Sequence, residues 1–350
     1  MSHPTPLKFL MPGWFALVMG LCGLALAWHR AQFVLGDMAA GVALMVGGLA
    51  AVVFVVLVGA SLLRASRHAD ALAEDLRHPV RHAFVAAVPV SLLLLATVGV
   101  ALDGASGPLA LLWRVLWWVG SLSQVWATWW VLSRWIAPAA NAAPGQAPGQ
   151  TGLWPGVTPV LLIPVVGNVV APLAGLPLGI EGWSAAQMGV GAFFWPVVVT
   201  LMLVRRLSHS PLPERLVPAW FITVAPPAVI GLVLLQMGAA LPLVQALWGL
   251  ALFFLAWVLP LIPRIMAQPF GVAFWALSFP LAAFTTLTLR LAEHQPESAW
   301  HGGLQAFGLV LLAVTSMAVL WLCQATVRGL RRGSLLVPEP VAQSAPPPTA

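Results

Sequence analysis

Residues 38–63 read MAAGVALMVGGLAAVVFVVLVGASLL, a stretch without a single charged residue between Asp37 and Arg64. A helix needs about 20 apolar residues to cross the hydrocarbon core of a bilayer. The stretch is longer than that, so it predicts a membrane-spanning helix that ends at a basic boundary.

Nine further runs of similar length flank this one. Transmembrane strands would show about 10 residues of alternating polarity, and no such pattern occurs. The sequence therefore predicts an all-α polytopic membrane protein with ten transmembrane helices. The runs cover residues 12–29, 38–63, 83–102, 110–135, 154–178, 184–204, 218–238, 242–262, 270–290 and 303–327.

The composition supports the same fold class. Hydrophobic residues make up 60% of the chain and charged residues 7%, against about 25% charged residues in soluble domains. This balance excludes a soluble globule, a disordered protein and a nucleic-acid partner, and it makes the lipid bilayer the expected environment. The net charge of +6 is better explained by basic loops on the cytoplasmic side of a membrane than by binding to nucleic acid.

Basic residues are distributed unevenly between the two sides of the predicted bundle. If all ten runs span, thirteen of the sixteen Lys and Arg residues lie on the side of both termini. The positive-inside rule then places both termini in the cytoplasm of a protein of the inner (plasma) membrane, built as five hairpins. The three basic residues on the opposite side are Arg30, Arg114 and Arg290.

Residues 1–332 form one predicted membrane domain, with no cleavable signal peptide expected at its start. A Pro/Gly/Ala-rich stretch at 137–152 is a predicted cytoplasmic linker, and 333–350 is a predicted disordered cytoplasmic tail. Cys22 and Cys323 lie inside hydrophobic runs and are expected to be small packing residues.

Prolines concentrate in the odd-numbered runs, which carry eleven, whereas the even-numbered runs carry three. Proline breaks a helix, and a break inside a bilayer survives only where neighbours or a water-lined cavity satisfy the freed groups. The pattern favours an inner ring of five odd helices around a central pore and an outer ring of five even helices. The alternative is that prolines only kink buried helices, with no passage between them.

Ionisable residues are missing from the middle of the runs, and all eight histidines lie in loops or near run ends. Neither a metal-ligand pattern nor a catalytic motif occurs, so the sequence predicts no metal, no cofactor and no enzyme activity. A passage without buried carboxylates favours a channel-like pore that tolerates anions.

Five short motifs occur in order along the chain: PGWFALVMGLCGLALAW (12–28), HPVRHAF (78–84), TPVLLIPVVGNVVAP (158–172), LPERLVPAWFITVAPPAV (212–229) and FWALSFPLAAFT (274–285). With them the chain resembles the tellurite-resistance/dicarboxylate transporter family, which includes bacterial tellurite-resistance channel homologues and plant guard-cell slow anion channels.

This resemblance implies ten helices as five hairpins, a homotrimer with one pore per subunit, and conduction of small anions. It implies that Phe279, in the SFP motif, occludes the pore. It also implies helix kinks at Pro89, Pro164, Pro226 and Pro280. Bacterial relatives can carry a further proline at the position of Val18, so Gly20 is the candidate for the first helix.

Other candidate residues have two readings each. Thr285 and Thr286 either offer hydroxyls to an anion or bond their own helix, and the second reading is preferred. Asn168 either lines the pore or satisfies carbonyls freed by Pro164. Two interpretations also apply to His78, Arg81 and His82. They either hold the start of the third helix on the cytoplasmic side, which is the preferred interpretation, or form a cytoplasmic vestibule that attracts anions. The pairs Arg205–Arg206 and Arg331–Arg332 are interpreted as topology signals.

Three functions are compatible with the sequence. The first is an anion channel or facilitator with a Phe-gated uncharged pore. The second is a proton-motive-force-linked transporter for C4-dicarboxylates or tellurite. The third, a membrane anchor of an oxidoreductase, lacks the mid-span histidines that would hold haem.

Overall fold

Every apolar run of the sequence forms helix in the computed structural model, which describes residues 6–136, 154–208, 212–297 and 299–337. The predicted linker at 137–152 and residues 338–350 of the predicted tail lie outside the described residues. We number the ten helices in chain order as α1 Pro12–Arg30, α2 Asp37–Arg67, α3 Arg81–Asp103, α4 Ala110–Ile136, α5 Pro159–Gly175, α6 Glu181–Ser208, α7 Glu214–Gln236, α8 Leu241–Met266, α9 Val272–His294 and α10 His301–Arg331.

Eight of these helices are long and apolar enough to cross a membrane. The other two are α4 and α5. Helix α4 carries tryptophans along its length and an arginine near each end, Arg114 and Arg134, which make it less apolar. Helix α5 is shorter and is interrupted at Pro172, where its last turn begins. Length and composition therefore support eight of the ten predicted spans.

Buried and exposed helices alternate along the chain. In the most apolar 18 residues of α1, α3 and α9, 72% are buried, and in α7 the share is 94%. The corresponding share is 22% in α2, α6 and α8 and 33% in α10. Helix α5 is buried throughout Pro159–Gly175. The exposed faces of the even helices are apolar, as expected of surfaces that contact lipid.

The five buried helices contact one another in a closed order. Helix α1 packs on α3, α3 on α5, α5 on α7, α7 on α9, and α9 returns to α1. Each even helix packs mainly on the odd helix that precedes it in the chain. Gly36 lies in the short connection after α1, and Gly104 in the one after α3. Both adopt positive φ and turn the chain back on itself, which favours this arrangement.

Each odd helix begins in the 3₁₀ conformation and continues as an α-helix. The α-helical parts begin at Ala16, Ala87, Leu162, Ala225 and Ser278. A proline has no N–H to donate, and its ring clashes with the carbonyl four residues earlier in a continuous α-helix, so it favours a position where the helix changes conformation. The third residue of each α-helical part is Val18, Pro89, Pro164, Pro227 or Pro280.

A short helix, Ala69–Arg77, connects α2 to α3 and takes part in a buried network of ion pairs. Its Asp75 is 2% exposed and accepts from Nη2 of Arg64 at 2.6 Å and from Nη1 of Arg81 at 2.9 Å. Arg64 also donates from Nε to the carbonyl of Lys8 at 3.0 Å. This network fixes the start of α3 relative to the end of α2.

The chain after α10 is described as far as residue 337. In this stretch, which belongs to the predicted disordered tail, Leu335 is buried and packs over Gly329.

Candidate functional site

Two cavities lie at opposite ends of the five odd helices. The first has a volume of about 500 Å³ and is bordered by the N-terminal parts of all five helices. Each odd helix contributes to the wall, for example with, in the order α1 to α9, Met19, Val90, Ile163, Ile222 and Phe279. Its walls are mostly apolar, as expected where broken helices surround a space.

The second cavity has a volume of about 1060 Å³ and is bordered by the C-terminal parts of the same helices. Each odd helix again contributes to the wall, for example with, in the order α1 to α9, Leu26, Thr97, Leu173, Leu232 and Thr286. The two cavities therefore lie along one axis through the same set of helices.

A closed interval separates the cavities. On each helix, the last residue of the first cavity and the first residue of the second are six or seven positions apart. At 1.5 Å per residue, this corresponds to about 10 Å of packed helix. The pairs that bound the interval are Met19 and Leu26, Val90 and Thr97, Gly167 and Leu173, Ala225 and Leu232, and Pro280 and Thr286.

The interval contains no charged residue, and its polar side chains bind the protein itself. Ser91 donates to the carbonyls of Ala87 at 2.7 Å and Phe15 at 3.2 Å. An ion that crosses this interval would meet apolar side chains and helix backbone. Such a lining offers a permeating ion no fixed charge of either sign.

Phe279 lies at the inner end of the first cavity, next to Pro280. Its side chain is 6% exposed. Its ring packs on α1, where Cδ2 is 3.2 Å from the position that a Cβ on Gly23 would occupy. Since Gly23 belongs to the closed interval, the ring stands at the boundary between cavity and closed packing.

Asn168 and Thr285 are fully buried, and neither belongs to the wall of either of these two cavities. Asn168 donates from Nδ2 to Oγ1 of Thr128 on α4 at 2.8 Å and to the carbonyl of Pro164 at 2.9 Å. Thr285 donates to the carbonyl of Leu281 at 2.8 Å and contacts Oγ1 of Thr315 at 3.0 Å. Both side chains thus bind the even helices and their own helix.

Thr286 does line the second cavity. Its hydroxyl donates to the carbonyl of Ala282 at 2.8 Å, so its proton is already engaged within α9. The oxygen that remains toward the cavity is an acceptor and offers nothing to an anion.

The three candidates for the vestibule separate in the structure. His78 and Arg81 line the first cavity, whereas His82 does not. The Nδ1 atom of His78 accepts from the backbone N–H groups of Val80 and Arg81, both at 3.1 Å, and so caps the start of α3. His82 is buried, with its ring edge-to-face against Trp130 of α4.

Gly20 allows α1 and α9 to approach closely. A Cβ on Gly20 would stand 2.7 Å from Cβ of Ser278 and 3.0 Å from Cε3 of Trp275. Ser278 is the first α-helical residue of α9. A side chain at position 20 would therefore push apart the two helices that hold the Phe279 ring.

Several functional candidates were not singled out by sequence reasoning. Arg30 and Arg290 line the second cavity, and both donate from Nη1 to Oε2 of Glu293 at 3.0 Å. Two of the three basic residues predicted opposite the termini meet here. Basic residues are rare on that side under the positive-inside rule, and this rarity is the sequence feature that could have identified them. In the first cavity, Thr158 and Arg205 also belong to the wall.

Comparison with known proteins identifies the family. Residues 10–327 match the family described as SLAC1, voltage-dependent anion channel. The chain belongs to this family. The match covers all ten helices except the last residues of α10, and it confirms the resemblance seen in the five motifs.

Relatives in a plant, an archaeon and a bacterium share this similarity. The S-type anion channel SLAH2 of Arabidopsis thaliana is 24% identical over 225 residues, which are 64% of this chain and only 40% of the plant protein. An uncharacterised transporter of Methanocaldococcus jannaschii is 25% identical over 79% of this chain and 82% of its own length. The tellurite resistance protein TehA homologue of Haemophilus influenzae is 22% identical over 96% of this chain and 94% of its own length.

Two of these relatives are named a channel and a transporter, the third is named for tellurite resistance, and the matching family is described as one of anion channels. The family membership and the apolar helices together place this chain in a membrane.

Proposed function

We propose that this protein is an anion channel or facilitator that passes small anions through an uncharged pore, which the ring of Phe279 closes. The observation that carries the proposal is the pair of cavities on one axis, separated by about 10 Å of uncharged packing on all five odd helices. The ring of Phe279 lies at the first-cavity end of this barrier, so its movement would begin the opening of the pore. A charge-free constriction that gates by exclusion of water is an established way to control conduction.

The charges at the first cavity favour anions over cations, whereas those at the second cavity balance. Among the described residues that line the first cavity, three are arginines and none is acidic. The second cavity has Arg30 and Arg290 with Glu181 in its wall, and Glu293 bridges the two arginines. A guanidinium group attracts and binds anions and has no acceptor for a cation.

The proposal includes the arrangement that the sequence predicts. Ten spans would form five hairpins, with the odd helices around the pore and the even helices outside. The closed order of contacts among the odd helices and the alternation of burial support this arrangement. The first cavity and both termini would lie at the cytoplasmic face of the plasma membrane, and the thirteen basic residues on that side support this orientation. The apolar faces of the even helices would contact lipid and two further copies in a homotrimer.

A coupled transporter is the second candidate, because the relative that aligns over 96% of this chain is named for tellurite resistance. Such a protein would move C4-dicarboxylates or tellurite with the proton-motive force. Proton coupling usually uses a buried ionisable residue. The closed interval has none, and this favours the channel.

A flux assay on purified protein in liposomes separates the two candidates. A channel should pass chloride or nitrate down its gradient at a rate that is independent of a pH gradient. A carrier should show saturation, substrate counterflow and dependence on the pH gradient. Counterflow of tellurite or a dicarboxylate, without current carried by simple anions, would overturn the proposal.

A further inference from the structure

One arginine of the first cavity does not come from an odd helix. Arg205 lies near the end of α6, yet it reaches inward and donates from Nη1 to the carbonyl of Val157 at 2.9 Å. Its neighbour Arg206 is exposed and is not part of the cavity wall. A topology signal needs only positive charge near the end of a span, and Arg206 already supplies it. The inward position of Arg205 therefore has another cause.

The charge of Arg205 is not neutralised within the described part of the chain. Arg81, in the same wall, pairs with Glu74 at 2.7 Å and Asp75 at 2.9 Å. Arg205 has no such carboxylate partner among the described residues, and its buried Nε, like that of Arg81, has no hydrogen-bond acceptor there. Buried donors without acceptors are rare and costly in folded proteins. A ligand that carries negative charge in the cavity would neutralise the guanidinium.

A second unpartnered donor lies in the wall of the same cavity. Thr158 follows the residue whose carbonyl holds Arg205, lines the same cavity, and is 1% exposed. Its Oγ1 has no hydrogen-bond partner among the described residues. Because no acceptor fixes the hydroxyl proton, the proton is free to turn toward an anion in the cavity.

We propose that Arg205 and Thr158 form a binding site for a small inorganic anion in the first cavity, on the wall next to Val157. The inference rests on the proposed anion conduction, to which it adds a residue-level site before the Phe279 constriction. The guanidinium offers its unengaged N–H groups and charge, and the hydroxyl offers one further donor. A planar oxyanion such as nitrate matches the fork of a guanidinium better than a spherical halide does.

The test is nitrate binding to the purified protein in detergent, measured by isothermal titration calorimetry. Loss of a charged hydrogen-bond partner should weaken binding about tenfold or more in Arg205→Gln. The matched control, Arg206→Gln, removes the same charge one residue away and should stay within about twofold, since exposed charges are screened. Thr158→Val keeps shape and charge and should weaken nitrate binding several-fold.

Equal binding by Arg205→Gln and the unmutated protein would overturn the inference, and so would equal losses in Arg205→Gln and Arg206→Gln. No binding by the unmutated protein would overturn it as well. Should Arg205→Gln fail to fold, as judged by gel filtration, Arg205→Lys and Thr158→Val carry the same test. Liposome flux is measured in parallel. Binding that depends on Arg205 without any conduction would contradict only the proposed function, and conduction with unchanged binding in the variants would contradict only this inference.

Discussion

The ring of Phe279 on α9 packs directly against Gly23 on α1, with Cδ2 3.2 Å from the place of a Cβ at that glycine. Ala282, one turn further along α9, comes still closer, with its Cβ at 2.9 Å from the same position. Because Gly23 has no side chain, α1 and α9 can approach each other at the level of the Phe279 side chain. This approach completes the closed order of contacts among the odd helices.

Gly23→Ala should destabilise the protein and displace Phe279. The added methyl group overpacks the contact, which typically costs about 1–3 kcal/mol. Thermal unfolding of the detergent-solubilised protein measures this change. Gly48→Ala is the matched control, because its Cβ would meet nothing within 4 Å. Equal melting temperatures for the two variants would show that the α1–α9 contact is not tight.

Asp75→Asn should destabilise the protein strongly, since Arg64 would lose the carboxylate that compensates its buried charge. Removal of one partner from a buried ion pair costs about 3–5 kcal/mol. The control is Glu74→Gln, which removes an exposed partner of Arg81 and should have a small effect. Thermal unfolding again gives the answer, and a similar loss for both variants would argue against a structural role for Asp75.

Thr285→Val and Thr286→Val should leave anion flux nearly unchanged. Thr285 faces Thr315, and the Thr286 proton is held by the carbonyl of Ala282. Thr285→Val should lower stability by about 1 kcal/mol, because it leaves a buried hydroxyl with one partner fewer. A marked change of nitrate or chloride flux in Thr286→Val would show instead that this hydroxyl contacts the anion.

Much of the fold could be predicted from the sequence, because hydrophobic length and helix-breaking prolines report directly on membrane structure. The ten runs match ten helices, and the proline-rich odd runs are the buried ones. Rotation about a helix axis is a different matter. In a helix that is apolar all round, periodicity does not tell which face meets which neighbour.

Asn168 and Trp117 illustrate this limit. Asn168 points to α4 and belongs to a polar cluster there, away from both cavities. Trp117 belongs to the tryptophan-rich fourth run, where the sequence does not tell which rings face the interior. It is fully buried and donates to the carbonyl of Ala171 at 2.7 Å. Arg205 and Arg206 are adjacent at the end of the sixth run, and the sequence does not tell which of the two points inward.

The most direct test of the central claim is anion flux through Phe279→Ala, with the purified protein in liposomes under a chloride or nitrate gradient. The control is Phe284→Leu, which alters a fully buried ring of the same helix that packs on Trp248 and Phe307 away from both cavities. We expect several-fold greater flux in Phe279→Ala than in the unmutated protein, and no increase in Phe284→Leu. Folded Phe279→Ala protein with unchanged flux would contradict a pore that this ring closes.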